Sequence, residues 1–371
     1  MRSVFLLRSN KKDIVRAVPP GLKGKKQNMK KWISAVLAGA LALGLAACTF
    51  KTPATVLTVE DTTVSAGLYL MEQFLSYNDA QELLSEDKKQ VEENGESTPL
   101  ADWVHAKTLE SLRVYLWTER EFDAQGLAFT DEENTSVETG FENYYASNEE
   151  LLTANGIGKE SYRLFYMNQM KYQKLYTAYA ETAGDDVADA DAKAYMDEEY
   201  ARVQMLILPT VDSEYKALDE AKIAVIQGYA DEVADKLDKG GDFDALAEEY
   251  LKKALEDAGR EYTEDLLGTA YSATFQTKAA AEADPEGTAA KVFALEMGKT
   301  MVDKSNNAPI VYQRIANYDN DTWEGYRASI VSEIVVRDFE AKAKEESAGY
   351  AVQEDASAVR TYSIKKIKTT V

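Results

Sequence analysis

The feature that most constrains this chain is a change of hydrophobic period near residue 200. Before it, apolar residues recur every three or four positions over long stretches, the mark of helices that share one buried face. Val104, Leu109, Leu112 and Leu116 form such a stripe over about 101–125. Tyr162, Phe165, Tyr166, Met170, Leu175, Tyr176 and Tyr179 form a longer one over about 159–183. After residue 200 the pattern shortens. Residues 201–209 (ARVQMLILP) are a brief apolar run stopped by proline, as in a strand. Helices are expected at about 214–239 and 242–250, a short one at 288–294, and short strands at 301–302 and 310–315. Residues 255–285 read as loop-rich with short pieces. A final helix is expected over about 322–346. This order predicts an α+β fold: a mostly helical frame, an inserted small α+β domain and a returning C-terminal helix.

Local punctuation refines the order. Residues 55–65 alternate as a small strand and turn, and Ser65 is placed to cap a helix running to about 76. Residues 86–100, with Gly95 and Pro99, read as a loop. Thr130 followed by Glu133 is a capping-box pattern, opening a helix to about 147 with a shorter helix at 149–154. Gly126 and Gly184 are expected stops, Gly156 and Gly158 a break. Asp189 or Asp191 caps a helix through 200. Residues 361–368 are a last strand or a loose tail.

The N-terminus carries an export signal. Met29-Lys30-Lys31-Trp32 precedes an apolar run, residues 33–47, that ends in small residues, as secretory signals do. The run falls short of the about 20 apolar residues that span a bilayer comfortably. Leu45-Ala46-Ala47-Cys48 resembles the lipobox of bacterial lipoproteins, which implies lipid on the Cys48 thiol and cleavage before it. Cys48 is the only cysteine, so no intramolecular disulfide is available and packing must hold the fold. Met29 opens a complete signal by itself, so residues 1–28 read as an extension ahead of the true start. From Cys48 on, 324 residues hold 32 basic and 63 acidic side chains, a net charge near −31. That length can bury a core in two structural units.

Such acidity excludes nucleic-acid binding, which needs Lys and Arg on phosphates. Its ordinary use is to keep a surface soluble, and the sharper alternative is weak attraction to basic, unfolded polypeptides. His105 is the only histidine and lies in an expected helix, where a surface or packing role is its ordinary use. With no paired histidines and no C-x-x-C, H-E-x-x-H, P-loop or G-x-S-x-G pattern, neither a metal nor a cofactor is expected.

Several segments, in order, resemble extracytoplasmic foldases of the PrsA/SurA type. Residues 187–196 (VADADAKAYM) are similar to the helix that precedes the parvulin-type domain of that family. Met205-Leu206-Ile207-Leu208 sits where parvulins carry a histidine-led strand. Residues 239–250 (KGGDFDALAEEY) and 292–299 (VFALEMGK) match two further family elements, and residues 310–315 the closing strand. The resemblance implies residues 29–47 as signal peptide, 48–55 as lipidated tether, and 56–200 as a helical chaperone domain. Residues 201–318 then form a parvulin-like domain, and 319–371 a C-terminal helix and tail packing on the chaperone domain. The implied place is the extracytoplasmic face of the cell membrane, and the implied partners are newly secreted, unfolded chains. A homodimer enclosing a cavity is one arrangement open to such a frame.

The pocket departs from the family. Parvulins speed rotation about X-Pro bonds, slow because peptide rotation faces a barrier of about 18–20 kcal/mol, with paired histidines and an apolar proline seat. Here Met205 takes the first histidine position, and the second falls near Pro309 or Ile310. Thr288 stands where a proline-seating Phe is expected, with Phe293 nearby. The isomerase activity is therefore expected to be weak or lost, leaving a chaperone. An active isomerase is the alternative, and a solute-binding lipoprotein of a transporter the rival class, disfavoured by few strands. Client-binding candidates are Tyr162, Phe165, Tyr166, Met167 and Met170, since Met adapts its shape and Tyr couples apolar area to a polar tip. The same spacing is also that of ordinary helix packing.

Overall fold

The structure, a computed structural model, describes residues 54–370 apart from 86, 94, 306 and 307. The expected signal peptide, Cys48 and nearly all of the tether lie outside the described residues. The fold is α+β and mostly helical. Among the described residues no helix is long and apolar enough to cross a membrane.

The chain begins with a hairpin of β1 (Thr55–Val59) and β2 (Thr62–Ser65) and enters helix α1 (Ala66–Gln81). Ser65 accepts the Leu68 N–H at 3.3 Å, the expected cap. Residues 86–100 are not a plain loop: β3 (Gln90–Glu93) and β4 (Glu96–Pro99) pair as a short antiparallel hairpin before α2 (Leu100–Ala124). Helix α3 (Asp131–Ala154) opens on the expected capping box, with Thr130 N–H on Glu133 Oε2 at 2.7 Å and Glu133 N–H on Thr130 Oγ1 at 3.1 Å. It runs unbroken through residue 148, where two helices were expected. Nothing between Ser147 and Glu150 breaks a helix, and Ser147 and Asn148 return their side chains to the carbonyls four residues back. Helix α4 (Lys159–Asp186) passes Gly184 without stopping, and α5 (Asp189–Glu199) follows.

The insert is a four-stranded antiparallel sheet of order β6-β5-β8-β7, built from β5 (Tyr200–Ile207), β6 (Tyr271–Thr277), β7 (Thr300–Asp303) and β8 (Ile310–Arg314). Helices α6 (Glu220–Asp238) and α7 (Phe243–Asp257) cover one face. Their Ile226, Val233, Leu237, Phe243, Leu246 and Tyr250 bury Leu206, Leu208 and Val311. The turn between them needs glycine twice. Gly240 has φ +89°, and a Cβ on Gly241 would sit 2.9 Å from the Lys236 carbonyl oxygen. The short helices α8 (Glu264–Ala270), α9 (Lys278–Ala283) and α10 (Thr288–Phe293) complete the insert. Strand β6 falls in the region expected to be loop-rich. Tyr271, Ala273 and Phe275 alternate with Ser272, Thr274 and Gln276, but the run is only seven residues long, carries no aliphatic β-branched residue and has no fully buried side chain, so its strand signal is weak.

Helix α11 (Trp323–Ala348) returns across the frame. Its Phe339 ring lies 5.0, 5.6 and 5.4 Å from the rings of Tyr172, Tyr176 and Tyr179, and 5.9 Å from Trp117. Near its start, Trp323, Ile330 and Ile334 pack on Ala192 and Met196 of α5. Strand β9 (Val352–Glu354) pairs with β1, joining the two ends of the described chain. The tail is neither strand nor loose. Helix α12 (Ala356–Thr361) and a 3-10 turn (Ile364–Lys366) pack on the frame, with Ala358 fully buried.

Candidate functional site

Alternation along β5 and β8 gives the inserted sheet two unlike faces. On one face, Leu206 of β5 and Val311 of β8 enter the core under α6 and α7. On the other face, toward α10, Val203, Met205, Ile310 and Tyr312 form a small apolar cluster with Val292, Leu295 and Met301. Register places Met205 beside Tyr312 and beside Ser272, and Tyr312 beside Met301. A row Ser272–Met205–Tyr312–Met301 therefore crosses the sheet. Ile310 lies beside Ile207 and Asp303 in the next row.

An open groove of about 380 Å³ adjoins this face, lined by Asp284, Gly287, Thr288, Lys291, Met301 and Asp303 among others. Thr288 Oγ1 donates to Asp303 Oδ2 at 2.6 Å, and the Ser305 N–H donates to Asp303 Oδ1 at 2.8 Å. These hydrogen bonds hold the Asp303 carboxyl below its ordinary range, the Thr288 bond contributing most. Burial pushes the Tyr312 phenol up, and the Asp303 charge adds to it. A phenol held neutral and a carboxylate held charged are a donor and an acceptor that can orient a polar group. They supply no paired acid and base near neutrality.

Of the sequence candidates, Met205 and Ile310 come together in the cluster, and Thr288 stands in the groove wall. Phe293, in the last turn of α10, is half-buried. Pro309 is buried, and its carbonyl accepts the Leu208 N–H at 3.1 Å. Tyr312, Met301 and Asp303 complete the site and were not singled out from the sequence. The alternation of residues 310–314 was the signal that puts Tyr312 on the face of Ile310. His105 lies in the frame, its Nε2 3.2 Å from Glu354 Oε2, and so ties α2 to β9. Among the described residues no group of three or more His, Cys, Asp or Glu is arranged to hold a metal.

The aromatic stripe on α4 has a different environment from that of a client surface. Tyr162, Phe165 and Tyr166 are 5–7% exposed and belong to the main core. The rings of Tyr162 and Tyr166 meet α3, with Phe141 6.1 Å from Tyr162 and 6.3 Å from Tyr166 and Tyr145 5.9 Å from Tyr162, while Phe165 lies 6.2 Å from Tyr162. All three are buried in the main core, with α3 covering Tyr162 and Tyr166. Met167 and Met170 are half-buried against the same core. The stripe's later tyrosines seat α11 through Phe339. Among the described residues, the large apolar side chains left exposed are Tyr144 and Leu164 on the frame and Tyr215, Val225 and Met297 on the insert.

No family model matches the chain, and no curated protein matches it. Among solved structures it is similar to the foldase protein PrsA from Streptococcus pneumoniae strain Canada MDR_19A, at 14% identity over 75% of this chain and 98% of that one, with a TM-score of 0.26. PrsA from Bacillus subtilis is 18% identical over 76% of this chain and 93% of that one, TM-score 0.24. One of the two SurA-like chaperones of Campylobacter jejuni, the virulence factor PEB4 and the periplasmic protein Cj1289, is 11% identical over 82% and 100%, TM-score 0.27. At identities this low, the role of each residue rests on the chain's own geometry.

Proposed function

We propose that this protein is a membrane-anchored extracytoplasmic chaperone that assists secreted chains to fold, and that its inserted domain no longer isomerises proline. The observation that carries the second part is the row Ser272–Met205–Tyr312–Met301. It occupies the face where the family resemblance calls for histidines, and it offers two thioethers, a hydroxyl and a neutral phenol. Lowering the barrier to X-Pro rotation needs groups that stabilise the twisted amide more than the planar one. Apolar Met205 and Ile310 bind both alike. The chaperone role is supported by the ordered sequence matches and by an architecture in which α11 returns to a helical frame around an inserted lobe. The anchor is supported by the lipobox at Cys48, and two acyl chains on one cysteine suffice for stable attachment.

The test is light scattering of an unfolded, basic client with the chain from residue 49 at a one-to-one ratio. Suppressed aggregation is expected, whereas unchanged scattering would remove the chaperone reading. Acceleration of a proline-limited refolding phase, lost on Met205→Ala, would favour the active-isomerase alternative.

A further inference from the structure

The end of the chain lies on the frame as a polypeptide ligand would. Residues 356–371 contain Arg360, Lys365, Lys366 and Lys368 and no acidic residue, in a chain with 64 acidic and 42 basic side chains. Ile364 and Ile367 are interleaved with those lysines. A basic, apolar stretch is what an acidic holder of unfolded protein is suited to accept.

The contacts that hold this stretch read main chain. Asn155, at the end of α3, donates Nδ2 to the Lys368 carbonyl at 2.8 Å and accepts the Lys368 N–H on Oδ1 at 2.8 Å. One carboxamide thus engages both main-chain groups of one residue, as a neighbouring strand does. Its orientation is fixed from behind by the Leu151 carbonyl, 2.9 Å from Nδ2. Gln73, 3% exposed in α1, donates Nε2 to the Tyr362 carbonyl at 2.9 Å. These bonds involve no side chain of the tail, so a segment of another sequence that takes up the same turn could make them. Side chains fill the remaining space: Tyr362 and Ile367 against the main core, Ile364 against the cluster of Trp103 and Val104.

The groove is not filled by the tail. A cavity of about 220 Å³ remains beside it, lined by Leu70, Phe74, Ala154, Gly156, Tyr362 and Ile367 among others. Gln73 also lines it, and its Oε1 is buried without a hydrogen-bond partner. The Tyr362 carbonyl fixes that amide, since reversing it would set two oxygens face to face. An unpaired buried acceptor costs stability until a donor reaches it, and a polypeptide N–H is such a donor.

We propose that this groove, between α1 and the end of α3, is a polypeptide-binding site that residues 362–368 occupy at rest. Its partner is a client segment with apolar side chains and positive charges, which takes the tail's place. The proposal rests on the chaperone reading and specifies where that reading would act.

The test uses a fluorescent peptide of sequence 361–370 and the chain from residue 49. Ile367→Asp loosens the tail at full length and should bind the peptide about tenfold more tightly than the parent, because the internal competitor is weakened. Adding Asn155→Ala to that variant should weaken binding about tenfold, the worth of one to two main-chain hydrogen bonds. Equal affinity of parent and Ile367→Asp, or no effect of Asn155→Ala, would overturn the proposal. Should Ile367→Asp fail to fold, exchange of the Lys368 amide in the parent serves instead. It should accelerate when unlabelled peptide is added, and unchanged exchange would overturn the proposal. Suppressed aggregation that ignores these variants leaves the chaperone reading standing and removes the groove. Peptide binding without suppression does the reverse.

Discussion

Replacing Asn317 with Ala should uncouple the inserted domain from the frame. Asn317 is 2% exposed and sits just after β8, where the chain leaves the insert for α11. Its Oδ1 accepts the Arg202 N–H at 2.8 Å and Arg314 Nη1 at 2.9 Å. Its Nδ2 faces the carbonyls of Met196 and Tyr200 at 3.0 and 2.9 Å and Asp197 Oδ1 at 3.1 Å. One amide therefore joins the end of α5, the start of β5 and the exit from β8. Some partners keep a second bond: the Met196 carbonyl still takes the Tyr200 N–H, and the Tyr200 carbonyl still takes Arg314 Nη2. The Arg202 N–H loses its acceptor in a half-buried setting. At about 1 kcal/mol per net hydrogen bond, and 1–3 for a buried group left unpaired, the variant should lose roughly 2–4 kcal/mol. Urea unfolding followed by fluorescence checks this. Trp323 lies at the junction, its Nε1 2.7 Å from Asp189 Oδ1 and its ring 4.9 Å from Tyr318, and should report the change. A loss below about 1 kcal/mol would refute the reasoning, since the amide would then be replaceable by water.

Phe339→Ala should cost about 3–5 kcal/mol in the same assay, because a 3% exposed ring that meets four others leaves a cavity between α2, α4 and α11. Burial pushes the phenols of Tyr69 and Tyr162 up to about 12, with the Glu354 charge adding at Tyr69. Their folded values lie above the unfolded one, so the stability they contribute is present below about pH 10 and is lost as pH rises toward 12; a spectrophotometric titration should show their ionisation coinciding with unfolding. The Asp303 carboxyl has a lowered folded value, so its contribution is present above the ordinary carboxylate range and lost as pH falls through the folded value. Thr288→Ala should move that titration upward in a carbon-detected NMR experiment, and an unmoved Asp303 would remove the hydrogen bond's role. Cys48→Ser should release the protein from membranes or leave it unprocessed, with the circular dichroism of the folded part unchanged; retention and cleavage as in the parent would contradict the anchor.

The helical frame was readable because its signals are local. Stripes of period 3.6, the Ser65 cap and the Thr130–Glu133 box act within one or two turns and survive in the fold. What escaped depends on distant partners. Strand β6 alternates Tyr271, Ala273 and Phe275 with polar residues over only seven positions between two helical stretches, and what defines it is pairing with Tyr200–Leu206 about 70 positions earlier. Strand β9 is three residues long and exists because β1 lies beside it, almost 300 positions earlier. The tail read as loose because its anchors, Gln73 and Asn155, belong to helices far back in the chain. The same limit applied to the sites. The positions of Met205, Thr288 and Ile310 came from family resemblance, but the row that joins Met205 to Tyr312 and Met301 needs the sheet register. The aromatic residues of α4 illustrate the converse, because composition alone does not tell a surface offered to clients from one already covered by α3 and α11.

The most direct measurement is the refolding of a proline-limited, aggregation-prone client with an equimolar amount of the chain from residue 49. A higher yield of native client with an unchanged slow rate constant is the predicted result, because the frame holds unfolded chains while the Met205–Tyr312 face leaves the X-Pro barrier where it was. An unchanged yield, or a slow phase that speeds up with added protein, would contradict the account.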